Sequence, residues 1–253
     1  MPSTAEQRLS LGRTLRQWWH EGLGREGCLR TLRRLVAALW EFARESMPEQ
    51  RRRRYGDVEY DWDHRVDTTS ATVGWRDRLL GKFLSPYQAT EPALFREMLE
   101  SLKIDFSEFT FVDLGSGKGR VLLMAADFPF RRIVGVELLP GLHRVAQGNI
   151  SKYKSDSQRC FAVEAVCGDA REFAFPPEPT VLYLFNPLPE AGLVEVVARL
   201  EQSLGENPRP VYVLYHNPLL ESVFSSSTLL RKIGGTQQYS IYASGGMRLE
   251  RLP

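Results

Sequence analysis

One stretch limits the folds open to this chain: Phe109-Thr110-Phe111-Val112-Asp113-Leu114-Gly115-Ser116-Gly117-Lys118-Gly119-Arg120. An apolar run ends at an acid and then passes through three glycines at alternate positions. A helix-like segment, Val121 to Asp127, follows. Glycine tolerates positive φ and puts no Cβ between backbone and ligand. Strand, glycine turn and helix in that order make a nucleotide-type binding edge, and the chain on either side must be organised to support it.

The residues after this turn alternate in the way that builds a parallel sheet. The pattern predicts strands over 110–114, 132–137, 161–167, 181–185 and 211–215, and two closing strands over 229–233 and 238–243. Helices are expected over 93–102, 119–127, 141–153 and 189–204, with a short one after Pro218. Thr90 is the expected N-cap of the first of these, with Pro92 in its first turn. Runs such as Val181-Leu182-Tyr183-Leu184-Phe185 are continuously apolar, as strands covered on both faces are.

The 253 residues suffice for one α/β domain and an extension, and the expected boundary divides 1–84 from 85–253. Residues 1–47 read as two helices, and arginine is dense from Arg8 to the run Arg51 to Arg54. Such a basic amphipathic pair could touch an acidic partner or a membrane surface, but the default reading is packing on the main domain with its arginines solvated. Net charge is only +2, so nothing in the overall balance demands nucleic acid. Cys28, Cys160 and Cys167 show no metal or disulfide spacing, fit a reducing cytosol, and place Cys160 and Cys167 as small core fillers. No apolar run reaches the ~18 residues of a membrane span, and Met1 to Glu6 lacks signal-peptide character; a cytoplasmic location is expected. Asp61-Trp62-Asp63-His64 is poor ligand geometry on an extended chain, so 51–80 is expected to be a surface or lid loop without metal.

In open α/β sheets the ligand lies beyond the carboxyl ends of the strands. There the chain offers Asp113, Glu137, Gly168-Asp169, Asn186-Pro187 and His216-Asn217-Pro218. A phosphate-binding P-loop needs Ser or Thr after Gly-Lys, and Gly119 stands there. A dinucleotide fingerprint needs a glycine where Arg120 is. A carboxylate at Asp113 repels phosphate and attracts an ammonium. The ligand then carries an amino-acid cation at this end and a ribose near Glu137, as S-adenosylmethionine does.

On these residues the chain resembles the class I S-adenosylmethionine-dependent methyltransferases. Phe111 to Arg120 looks like their first motif, Val134-Gly135-Val136-Glu137 the second, Cys167-Gly168-Asp169-Ala170 the third and Phe185-Asn186-Pro187 the fourth. The Asp-Leu-Gly-Ser-Gly form, with Pro86, Tyr87 and Thr90 in the turn before it, is more specifically similar to the Dot1-like protein-lysine methyltransferases and their bacterial relatives. The resemblance spans roughly residues 85–245. It implies a Rossmann-like, seven-stranded, mostly parallel sheet with helices on both faces and the last strand antiparallel, carrying an N-terminal helical extension.

The resemblance also implies roles. Gly115, Ser116 and Gly117 would lie against the methionine and ribose portions of the cofactor. Asp113 would orient its amino group, and Glu137 would accept both ribose hydroxyls. Asp169 would accept the adenine amine, with Leu138 and Ala170 along the ring. Tyr87 and Thr90 would close over the methionine tail. Asn186 would sit beside the sulfonium with its amide oxygen free for an incoming amine, making Asn186 and Tyr87 the catalytic candidates. Lys118 and Arg120 are placed on the solvent or acceptor side. Phe185, Tyr183, Tyr215, Tyr239 and Tyr242 are offered as acceptor-channel walls, against the alternative that they are core. His216 is either a general base or a structural hydrogen-bonder. The implied activity is methyl transfer to an amine, a protein lysine or a small molecule. The competing class is a cofactor-binding regulatory module that transfers nothing.

Overall fold

The computed structural model describes residues 58–69 and 89–245. The expected helices in 1–47, most of the lid region, Cys28 and Tyr87 lie outside the described residues. By contacts the chain forms two compact units, Met1–Arg53 with Val73–Lys82, and Arg54–Thr72 with Phe83–Pro253. Every described residue falls in the second.

That unit is built on one seven-stranded sheet. Its strands are β1 (Thr110–Leu114), β2 (Arg132–Glu137), β3 (Val163–Cys167), β4 (Thr180–Leu184), β5 (Val211–His216), β6 (Leu230–Gly235) and β7 (Tyr239–Ser244). The spatial order is β3-β2-β1-β4-β5-β7-β6. All pairs are parallel except those of β7, which runs antiparallel to both β5 and β6. The strand order reverses between β1 and β4, which opens a crevice at their carboxyl ends. This is the Rossmann-like sheet that the sequence led us to expect.

Six helices accompany it among the described residues: α1 (Val58–His64), α2 (Pro92–Glu100), α3 (Arg120–Ala125), α4 (Pro140–Lys152), α5 (Glu190–Glu206) and α6 (Glu221–Ser225). Side chains alternate across a strand, so β1 feeds two cores. Phe111 joins Phe95, Met98 and Leu99 of α2 and Leu122 and Leu123 of α3. Val112 and Leu114 join Leu193, Val196 and Leu200 of α5. β1, β4 and β5 are buried at every residue, while β3 is the half-exposed edge of the sheet.

Three local expectations are corrected. Residues 58–64 form a helix, not a loop. Asp61 accepts from the backbone N–H groups of Thr68 and Thr69, both at 2.8 Å, and so closes the turn after that helix. His64 stacks between Tyr60 and Tyr153 at 4.3 and 5.3 Å. Thr90 is not the N-cap of α2; Glu91 holds that position and Thr90 is turned into the core. Cys160 is buried as expected, but Cys167 is exposed, because the edge strand has no neighbour to cover it.

Candidate cofactor site at the strand ends

The glycine turn bends as its composition requires. Gly115, Gly117 and Gly119 all have positive φ, at +88°, +55° and +84°, a region costly for residues with a Cβ. At Gly115 space forbids a side chain too, since a Cβ would lie 2.5 Å from Pro187 Cβ. The turn is folded back over β2: the N–H groups of Gly115 and Ser116 both donate to Val136 C=O, at 2.8 and 3.0 Å.

Glu137 ends β2 under this turn. Its Oε2 accepts from Gly117 N–H at 2.8 Å and its Oε1 from Leu139 N–H at 2.7 Å. Burial raises its pKa against the pull of these donors. Asp113 pairs in register with Gly135 of β2 and Tyr183 of β4, at the centre of the reversal. It is wholly buried, and burial first and the Glu137 carboxylate second hold its pKa well above the usual carboxylate range. No described residue donates a hydrogen bond to the Asp113 carboxylate. Ser116 Oγ, three residues on, is sealed and unpartnered among the described residues. The turn's one lysine does not supply the missing positive charge, because Lys118 Nζ is committed to Asp67 Oδ1 at 2.6 Å. A buried acid and a buried hydroxyl without partners describe a seat for a ligand that brings a cation and polar atoms of its own.

Lys118 and Arg120, expected on the solvent or acceptor side, are not on the solvent side. Both are buried, Arg120 with its guanidinium 4.5 Å from the Tyr60 ring centroid. They fasten the 58–69 segment to the start of α3. Asn149 of α4 completes the join, accepting from Asp67 N–H and donating to the carbonyls of Asp67 and Lys118.

Farther along the edge, Ala170 is buried and Leu138 half-buried, flanking β2 and β3. Asp169 is already partnered by Arg171. It accepts from Arg171 N–H at 2.9 Å and from Arg171 Nη2 at 2.6 Å. Asn186 is buried at φ +45°. Its amide oxygen is not free, as was expected, but accepts from Tyr215 O–H at 2.7 Å, and its Nδ2 donates to Asn217 C=O at 2.6 Å. The left-handed turn at Asn186 is what delivers Pro187 against Gly115.

Of the five aromatics offered as channel walls, Tyr183, Tyr215, Tyr239 and Tyr242 are core residues; only Phe185 is half-exposed. Thr90 Oγ1 lies 2.8 Å from Tyr183 O–H, which lies 2.8 Å from His216 Nδ1. Sequence reasoning missed this buried chain, since nothing in the spacing of three residues on separate elements announces it.

Residues 85–165, which contain the glycine turn, Glu137 and the core helices around them, match the family described as histone methylation protein DOT1. The match covers about a third of the chain. A protein-lysine N-methyltransferase of Saccharolobus islandicus (strain REY15A) is 40% identical over 68 residues, a match covering 26% of this chain and 42% of that protein. Among solved structures, an RNA methyltransferase from Salinibacter ruber in complex with S-adenosyl-L-homocysteine is 24% identical, with 65% of this chain and 96% of that one covered at a TM-score of 0.42. A glycopeptide N-methyltransferase is 12% identical, with 69% and 99% covered at a TM-score of 0.46. The Dot1-type stretch thus holds the turn and both unusual carboxylates, while Asp169, Asn186 and His216 lie beyond it. No helix among the described residues is long and apolar enough to cross a membrane.

Proposed function

We propose that this protein is an S-adenosylmethionine-dependent methyltransferase whose acceptor is an amine, a lysine side chain of a protein. The observation that carries the reading is the buried, unpartnered Asp113 carboxylate beneath a three-glycine turn. An ammonium is what such a group lacks, and the methionine end of this cofactor has one. The Dot1-type match and the relative described as a protein-lysine methyltransferase support the same reading.

In this reading Gly115 and Gly117 let the backbone close on the ligand. Glu137 keeps one lone pair on each oxygen for a ribose hydroxyl while Gly117 and Leu139 hold the carboxylate still. Leu138 and Ala170 face the adenine ring, and Asp169 meets its amine with Arg171 fixing the carboxylate's angle. Tyr87 closes over the methionine tail. Thr90 acts through Tyr183. Asn186 shapes the wall beside the reacting carbon through Pro187. Bound there, the cofactor supplies a methyl on a sulfonium, so the protein's task is alignment and exclusion of water.

Calorimetric titration with S-adenosylmethionine tests this, repeated with Asp113→Ala and Glu137→Ala. Binding by the wild type and loss in both variants is the expected result. Equal binding by all three would remove the site assignment.

A further inference from the structure

β4 and β5 end alike. Phe185-Asn186-Pro187-Leu188 and His216-Asn217-Pro218-Leu219 stand side by side at the ends of neighbouring parallel strands. Both asparagines are left-handed, with φ of +45° and +49°. The two corners are joined by the Asn186 amide on Asn217 C=O and by the Phe185 and His216 rings, stacked with centroids 3.9 Å apart. The imidazole is therefore held on one face by Phe185 and at Nδ1 by Tyr183. Tyr183 is itself held by Thr90, so both hydroxyls of the chain are used in fixing this one ring.

The other ring nitrogen is left over. Nε2 has no hydrogen-bond partner among the described residues, nor is it one of the unpartnered polar atoms sealed from solvent there. A histidine clamped on two sides, with one nitrogen unpartnered by the described residues and open at the carboxyl edge where ligands bind, is arranged to receive something.

We propose that His216 contacts the methyl acceptor, its Nε2 accepting an N–H hydrogen bond from the acceptor amine and so turning the nitrogen lone pair toward the cofactor. The inference rests on the methyltransferase reading and adds an acceptor-binding residue to it. For Nε2 to accept, Nδ1 must carry the ring proton and donate to Tyr183 oxygen, and Tyr183 O–H must donate to Thr90 Oγ1. The hydroxyl chain thus selects the tautomer. Burial holds the pKa of His216 down to about 4, so the ring is uncharged at neutral pH and its acceptor lone pair is available. His216 takes up no proton in this role; it orients.

The test uses the full chain with His216→Phe, which keeps the stack on Phe185 and removes both nitrogens, and Tyr183→Phe, which keeps Nε2 and removes the tautomer anchor. Affinity for S-adenosylmethionine is read by calorimetry, and transfer is read from tritium-methyl cofactor into a fractionated lysate. Nitrogen-15 NMR of the histidine ring reads the tautomer. Cofactor affinity is expected to be unchanged in His216→Phe, while its transfer falls about 100-fold, the scale of a misplaced reactant. Wild-type His216 is expected as the Nδ1–H tautomer and as a mixture in Tyr183→Phe. His216→Phe that binds cofactor and transfers methyl at the wild-type rate overturns the inference alone. A wild-type Nε2–H tautomer also overturns it, and decides the matter if His216→Phe does not fold. A wild type that binds no cofactor overturns the methyltransferase reading and this inference with it.

Discussion

Asp113 should make the unliganded protein less stable as pH rises, and replacing it with asparagine should remove that dependence. Its carboxyl is wholly buried, receives no hydrogen bond from the described residues, and is held well above the usual carboxylate range by burial and by Glu137. An acid whose pKa is higher folded than unfolded binds its proton longer in the folded chain. Folding then takes up a proton between the two values. The stabilising contribution is complete below the unfolded value and is lost as pH rises toward the folded one. Within that window the slope for one group is about 1.4 kcal/mol per pH unit. For a unit of this size 1 kcal/mol moves Tm by about 2–4 °C, so Asp113 contributes a fall of about 3–5 °C per pH unit. Asp113→Asn resembles the protonated form. It should flatten the profile above pH 4, leave the apoprotein more stable than wild type at pH 7, and weaken S-adenosylmethionine binding. Glu137→Gln should flatten part of the same slope, because the Glu137 charge is the second cause of the shift. Thermal melts of the three proteins from pH 5 to 8, with and without cofactor, check this. Parallel profiles for wild type and Asp113→Asn would refute the reasoning, as would Asp113→Asn that binds cofactor normally.

The remaining predictions concern single contacts. Gly115→Ala places a Cβ 2.5 Å from Pro187 Cβ at φ +88°, so it should cost about 1–3 kcal/mol of strain and abolish cofactor binding by calorimetry. Gly135→Ala drives a Cβ to 2.5 Å from Leu122 Cδ1 and 2.8 Å from Ser116 Oγ; overpacking there should cost about 1–3 kcal/mol in denaturant melts. Asp67→Ala leaves the buried Lys118 ammonium without its partner and should cost about 1–3 kcal/mol, with faster hydrogen exchange in 58–69. Arg171→Ala removes the half-exposed partner of a mostly buried Asp169, so stability should change by about 1 kcal/mol while cofactor affinity falls.

Much of this was legible in the sequence for physical reasons that can be named. Three alternate glycines after an apolar run leave few backbone paths, and all three adopt positive φ. Continuous apolar strands require cover on both faces, and β1, β4 and β5 have it. Asp113 and Glu137 stood out because carboxylates do not end buried strands without cause. The errors came from what periodicity does not encode. Lys118 and Arg120 could be read as solvent-side or acceptor-side until Asp67 and Tyr60, more than fifty residues earlier, are brought onto them. Asn186 looked free because Tyr215 and Asn217 reach it only through the pairing of β4 with β5. Cys167 has the composition of a core strand but stands at the sheet's edge, which is a property of strand order. The 58–64 helix was disguised by a polar run, although the four-residue spacing of Tyr60 and His64 was a usable sign of it.

The most direct measurement of the central claim is transfer of tritiated methyl from S-adenosylmethionine to fractionated lysate by the wild type and by an Asp113→Ala, Glu137→Ala double variant. The account predicts label in a protein fraction, recovered as methyl-lysine on acid hydrolysis, and none with the double variant. No label in any fraction with the wild type, or equal label with the double variant, would contradict it.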